Sequence, residues 1–173
     1  MASSLYHASV GVFLQILPSV AGLVTKAEAH CREHGLPDDA LTEARLAPDM
    51  WPFAKQVSET AHHSARAIAS VRSGRAGPEI DPVPNDFASL HKEIAEARRL
   101  LEEVSPTEVD AMIGKDVRFE FGTRRMDFDA EDFLLTFSLP NFFFHTTSAY
   151  AILRNQGLPV GKLDFLGRLR LKA

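Results

Sequence analysis

The segment from Leu139 to Gly157 is apolar almost all round at helical spacing, yet it carries a stripe of polar side chains. A helix that is apolar on every side must be buried, and buried polar groups need hydrogen-bond partners or a function. With about 100° between successive residues, Asn141, His145 and Ser148 share one side of this helix. The segment therefore predicts a central core helix that holds candidate functional side chains.

Three further stretches have apolar residues at helical spacing. The first runs from about Ser4 to His34, the second follows Asp49, and the third opens at Asp86. The capping serine, proline and glutamate of Ser105–Glu108 predict a short helical turn that runs to about Ile113. Alternation of apolar and polar residues on both sides of Gly122 predicts a small hairpin. The sequence thus predicts an all-α protein, an up-down four-helix bundle with a short helical turn and a small β-hairpin before the last helix.

The length of 173 residues suits a single domain, which we expect to cover residues 1–173. The formal net charge of -4 gives no overall attraction to nucleic acid. A single cysteine, Cys31, excludes an intramolecular disulfide. The apolar stretch Val10–Val24 lacks a basic leader and contains Gln15 and Pro18, which favours a core helix over a signal peptide or membrane span. We therefore expect a cytoplasmic protein that binds neither nucleic acid nor membranes.

Several motifs resemble one bacterial family. The last helix has a phenylalanine-rich turn, His145 and the run Thr146–Arg154, and it is followed by the closing segment Gly161–Gly167. The entry to the second helix, Pro48–Pro52 followed by Gln56, matches the same family. Over essentially the whole chain the sequence resembles an uncharacterised family of the DinB/YfiT-like superfamily, which implies a DinB-like helical bundle.

For many members of that superfamily, the resemblance implies a divalent metal held by three histidines, one on the second helix and two spaced by four on the last. His145 matches this pattern, but the residue four positions later is Ala149 and the one four positions earlier is Asn141, a poor ligand for zinc. On the second helix, His62 and His63 are expected to project away from the core. We therefore predict no metal site and no bound cofactor.

What remains is a ligand pocket that has kept its shape without the metal. We expect last-helix and second-helix side chains to line it, and basic groups at its mouth to attract an anionic ligand. The candidate ligand-binding residues are Asn141, His145, Ser148, Tyr150, Gln56, Ser64, Arg154 and Lys162. The sequence assigns no catalytic residue.

The predicted function is a non-metal module that binds a small ligand or interacts with another molecule. The alternative, which rests on the resemblance alone, is a divalent-metal-dependent transferase that acts with a small thiol. Members of the superfamily often pair through faces of the bundle, so the resemblance also implies a homodimer.

Overall fold

The computed structural model describes residues 4–78, 80, 82–169 and 171, and the protein is mostly helical with a small sheet. In chain order the helices are α1 (Leu5–Ala8), α2 (Val10–His34), α3 (Asp39–Thr42), α4 (Phe53–Ala61), α5 (Ala67–Ser73), α6 (Phe87–Glu102), α7 (Pro106–Asp110), α8 (Ala130–Asp132), α9 (Leu139–Asn155) and α10 (Lys162–Leu166). The strands are β1 (Arg75–Ala76), β2 (Asp116–Phe121) and β3 (Arg124–Asp129). Two π-helical turns interrupt the helices, His62–Arg66 between α4 and α5 and Phe133–Ser138 between α8 and α9.

Local signals in the sequence set several helix ends. The Asp86 side chain accepts a hydrogen bond from the backbone N–H of Ser89 at 2.8 Å, and so caps α6. Ser105 caps α7 in the same way through the backbone N–H of Glu108 at 3.2 Å. At the other end of α2, Gly35 takes the left-handed conformation that closes a helix, with φ of 64°.

Four long helices form a closed set of contacts around the core. The N-terminal helix α2 packs against α6 and α9, and α4 packs against the same two helices. Their shared interior holds fully buried phenylalanines, among them Phe13, Phe53 and Phe142. Because α4 lies between α6 and α9, it is buried along almost its whole length, including its polar side chains.

The small sheet lies beside α5 and the second π-helical turn. The hairpin β2–β3 is antiparallel, with Val117 opposite Phe128 and Phe119 opposite Met126, and β1 adds to β2 in parallel. The ring of Phe137, in the second π-helical turn, lies 5.1 Å from that of Phe119 and 5.7 Å from that of Phe128. These aromatic contacts fix the hairpin beside the start of α9.

The N-terminal helical stretch Leu5–His34 is long and apolar enough to cross a membrane by length and composition alone. Core helices and signal sequences meet the same criterion. Half of the apolar window is buried within the protein, where α2 contacts α6, α9 and α10. This packing is what the sequence predicts for a core helix.

Candidate functional site

A cleft opens between α4, α9 and the hairpin. It consists of two adjoining pockets of about 370 and 350 Å³, which share Trp51, Asn141 and His145, and we call it the His145 cleft. Its apolar wall is formed by Pro78, Ile80, Phe119, Phe121 and Phe137. Its polar groups include Lys55, Gln56, Glu59, His63, Asn141 and His145. An apolar pocket with a few convergent polar groups is the usual form of a small-molecule site.

A buried glutamine fixes the orientation of His145. The amide nitrogen of Gln56 donates to the backbone carbonyl of Trp51 at 3.1 Å, so the amide oxygen faces the other way. That oxygen lies 2.8 Å from His145 Nδ1, and since it can only accept, Nδ1 carries the proton. His145 Nε2 is therefore left with a lone pair, and no described residue hydrogen-bonds to it.

Three flat rings stack in a column along the cleft. The centroids of Trp51 and His145 lie 5.6 Å apart with 15° between their planes. On the other side, His145 and His63 lie 5.5 Å apart with 10° between planes. Trp51 is 48% exposed whereas both histidines are buried, so the column runs from solvent into the protein.

Burial keeps both histidines of the column uncharged. Loss of hydration lowers the pKa of His145 to about 4, against the opposing effect of the nearby Glu59 carboxylate. The same loss, reinforced by the neighbouring His62 and His145, lowers the pKa of His63 to about 3. At neutral pH both rings therefore present lone pairs rather than positive charge.

A buried ion pair lies at the base of the column. Lys55 Nζ contacts Glu59 Oε1 at 2.7 Å, and both side chains are largely shielded from solvent. The other carboxylate oxygen of Glu59 is 3.5 Å from His63 Nε2. Lys55 Nζ also lies 5.3 Å from the centroid of the Trp51 ring, within cation–π range. The charges of Lys55 and Glu59 thus offset each other within the cleft.

The expectation that both second-helix histidines point away from the core is wrong for His63, which is 8% exposed. Only one face of α4 was assigned to the core, whereas α4 is covered by α6 and by α9. Lys55, Glu59 and His63, spaced by four, lie on the second covered face. His145 consequently has a second imidazole beside it.

Two adjacent imidazoles do not make the three-histidine metal site of the superfamily. No group of three or more described His, Cys, Asp or Glu residues with ligand atoms within 4.8 Å of one another includes His145. The last helix places buried Ala149 where a third ligand would be needed. A different group, Glu59, His62 and His63, has ligand atoms within 4.8 Å of one another, although Glu59 is already paired with Lys55. The arrangement does not fit the superfamily's metal.

Three of the residues proposed from the sequence meet in the cleft, namely Gln56, Asn141 and His145. The other five do not line it. Ser64 donates to the backbone carbonyls of Thr60 and Ala61, and Ser148 lines a separate surface pocket with Thr147. Tyr150 packs edge-on against Phe165, Arg154 donates to the carbonyl of Val160 at 3.1 Å, and Lys162 is exposed on α10. Asp164, also on α10, forms an ion pair with Lys26 at 2.7 Å.

The candidate ligand-binding residues left out several side chains of the cleft, among them Trp51, Lys55, Glu59 and His63. A signal for three of them was present, because a charged or ionisable side chain recurs every four residues from Lys55 to His63, which marks one helix face. Trp51 gave no periodic signal, since it precedes the helix and reaches the cleft through the loop that leads into α4.

A second cavity, of about 390 Å³, lies at the sheet beside Arg75 and Arg118. Two of its charged groups are paired within the sheet, since Arg118 contacts Asp127 at 2.8 Å, and Asp127 also contacts Arg125. These exposed pairs satisfy each other. The His145 cleft is the stronger candidate because its lining includes His145 Nε2, to which no described residue hydrogen-bonds.

Comparison with known proteins agrees with the fold and the resemblance. A family model described as a domain of unknown function, DUF1993, matches residues 5–166. No curated relative matches the sequence. The chain is similar to the crystal structure of a DinB family member protein from Shewanella denitrificans, with 27% identity, a TM-score of 0.81, and coverage of 98% of this chain and 95% of that one. The chain therefore belongs to the DUF1993 family, an uncharacterised DinB-like family.

Proposed function

We propose that this protein binds a small organic molecule in the His145 cleft without a metal ion. The observation that carries the proposal is the fixed orientation of His145, whose Nδ1 is held by Gln56 while Nε2 has no described partner. Because His145 lines both pockets of the cleft, a ligand there that donates a hydrogen bond can reach this nitrogen. A histidine that served packing alone would not need its second nitrogen left open to a cleft.

The exposed end of the ring column supports the same proposal. Trp51 is half exposed although it stacks on a buried ring, and Phe121 and Ile80 are exposed on the opposite wall. Exposed aromatic groups beside a cleft with unsatisfied polar atoms are typical of a surface that a ligand covers. The apolar wall and the polar base would then contact different parts of the same molecule.

Trp51 makes the proposal directly testable, because it is the only tryptophan of the chain and lies in the cleft. A library of small molecules is screened by the change in tryptophan fluorescence and by thermal unfolding. A ligand is expected to alter Trp51 emission and to raise the melting temperature, and His145→Ala should weaken its binding about tenfold or more. The control is His91→Ala, a histidine outside the cleft.

The proposal fails if no compound in the library perturbs Trp51. It also fails if His145→Ala lowers the melting temperature but leaves the affinity of every hit unchanged, because His145 would then be a packing residue only.

A second candidate function is the divalent-metal-dependent transferase that acts with a small thiol. One observation favours it, the proximity of potential ligand atoms of Glu59, His62 and His63 within 4.8 Å. Elemental analysis of protein purified without chelator or affinity metal separates the two candidates. We expect well under one transition metal per chain, and about one per chain would replace the first proposal by the second.

The finer architecture and the assembly are also proposed. The mutual contacts of α2, α4, α6 and α9 support an up-down four-helix bundle. For the assembly we propose a homodimer, with a mass of twice 19.1 kDa in light scattering. A mass of one chain across a wide concentration range would contradict it.

A further inference from the structure

Two polar atoms that remain open in the His145 cleft are acceptors of hydrogen bonds. His145 donates through Nδ1 to Gln56, so its open nitrogen, Nε2, offers a lone pair. The Asn141 amide nitrogen donates to the backbone carbonyl of Phe137 at 2.7 Å. No described residue donates to the oxygen of that amide, so this oxygen is a second acceptor in the cleft lining.

The charged side chains described in the cleft lining have a net negative formal charge. Among the described residues, its lining holds two carboxylates, Asp49 and Glu59, and one ammonium group, that of Lys55. Two negative charges and one positive leave a formal charge of one negative, and the Lys55 ammonium is already bonded to Glu59 at 2.7 Å. An anionic ligand would meet lone pairs and a surplus carboxylate, whereas a cation would meet complementary groups.

The aromatic lining has the same preference. The faces of aromatic rings carry partial negative charge and attract ammonium groups, most strongly in the case of tryptophan. The Trp51 ring is already stacked on His145 and lies near Lys55 Nζ, whereas Phe144 and Phe137 line one pocket each. These rings also supply the apolar surface that an alkyl or aryl group would cover.

We propose that the ligand of the His145 cleft is an organic amine, whose nitrogen donates hydrogen bonds to His145 Nε2 and Asn141 Oδ1 while its apolar body lies on the wall formed by Phe119, Phe121 and Phe137. This inference rests on the proposed small-molecule function and specifies its ligand class. It replaces the expectation of an anionic ligand, because Arg154 and Lys162 do not line the cleft.

Three probes of matched length test the inference: n-hexylammonium, hexanoate and 1-hexanol, each titrated against chelator-treated protein with Trp51 fluorescence as the readout. None of them absorbs where tryptophan emits. For molecules of this size we expect dissociation constants of about millimolar. The amine should bind about tenfold or more tightly than hexanoate, with the alcohol between them.

Two asparagines of α9 form a matched pair of variants. Asn141→Leu removes the acceptor in the cleft, and should weaken binding of the amine about tenfold while leaving the alcohol and hexanoate less affected. Asn155→Leu makes the same change on an exposed position near the end of the helix and should leave all three affinities unchanged. The ranking of the probes on the unmodified protein does not depend on whether either variant folds.

The outcomes distinguish this inference from the function on which it rests. If hexanoate binds as tightly as the amine or more tightly, the amine assignment is overturned while a small-molecule cleft stands. If none of the three probes changes Trp51 fluorescence at concentrations up to its solubility limit, the amine assignment and the cleft proposal fail together. Preference for the amine that disappears in Asn141→Leu but not in Asn155→Leu supports the assignment.

Discussion

At the scale of single residues, Gln56 is the group on which the site geometry depends. It is almost fully buried and uses both ends of its amide, one for the carbonyl of Trp51 and the other for His145. One side chain thus connects the loop before α4 to the centre of α9. The direction of both bonds fixes which nitrogen of His145 carries the proton.

Gln56→Leu is expected to release this constraint. The substitution leaves the N–H of His145 and the carbonyl of Trp51 without partners, so the free energy of unfolding should fall by about 2 kcal/mol. Nitrogen NMR of the His145 ring should show a mixture of tautomers in place of the form protonated at Nδ1. Gln156→Leu, an exposed position just after α9, serves as the control. An unchanged His145 spectrum in Gln56→Leu would refute the positioning role.

Part of this site was predicted from the sequence because two of its residues recur at the helical spacing on α9. Asn141 and His145 are one helical turn apart, so their shared side follows from helix geometry alone. Gln56 was placed with them only through the family resemblance. His63 was missed because periodicity identifies a face that is apolar, and the second buried face of α4 is polar. Whether such a face meets solvent or another helix depends on tertiary packing.

At the scale of elements, the two π-helical turns flank the cleft. One, His62–Arg66, follows the polar face of α4, and the other, Phe133–Ser138, precedes the part of α9 that carries Asn141 and His145. In a π turn the hydrogen bonds run to the fifth residue, so side-chain positions drift from the helical spacing. π turns are frequent at functional sites, which agrees with their place here.

Elements with a local chemical signal were predicted, and elements without one were not. The caps of α6 and α7 and the hairpin follow from Asp86, Ser105 and the alternation around Gly122. The break between α1 and α2 was missed. It falls at Ser9, whose hydroxyl donates to the Leu5 carbonyl at 2.6 Å in competition with the helical pattern. The two-residue strand β1 was missed because its pairing comes from a distant strand.

The docking of α10 depends on Gly167. Its φ of 65° is left-handed, and a Cβ at this position would lie 2.4 Å from the backbone oxygen of Gln15. Gly167→Ala should therefore displace the segment from α2, break the bond from the Gln15 side chain to Leu166, and cost about 1–3 kcal/mol. Faster hydrogen exchange in α10 together with a lower melting temperature would be the evidence.

Gly161→Ala is the matched change at the other end of α10. Its φ is -126°, and the nearest atom to a new Cβ is 4.0 Å away, so little effect is expected. Equal behaviour of the two variants would show that the close approach at Gly167 does not hold the segment in place.

At the scale of the whole molecule, the two uncharged histidines connect the cleft to global stability. Their pKa values are about 4 for His145 and about 3 for His63 in the folded protein, against 6.5 when unfolded. Between these values the unfolded chain binds more protons than the folded one, so lowering the pH favours unfolding. The two neutral histidines make their full contribution to the free energy of unfolding above about pH 6.5. This contribution is lost as the pH falls towards 4 for His145 and towards 3 for His63.

We therefore expect the free energy of unfolding to decrease between pH 6.5 and pH 5, by about 2 kcal/mol from His145 and a similar amount from His63. Above pH 5 the change in stability comes from the histidines and not from carboxylates such as Asp86. The capping hydrogen bonds of Asp86 lower its pKa from 3.8, so its contribution to stability is lost only at lower pH. Urea unfolding followed by circular dichroism, with chelator present, measures the dependence.

His145→Gln removes one of the two titrating rings, so the decrease between pH 6.5 and pH 5 should shrink by about half, whereas His34→Gln, at an exposed helix end, should keep it. A decrease of the same size in His145→Gln would mean that protonation of His145 does not limit stability.

A ligand that donates a hydrogen bond to Nε2 competes with the proton for the same lone pair. The same titration with a saturating amine should therefore show stability retained to lower pH, because binding to the folded state and protonation of His145 exclude each other.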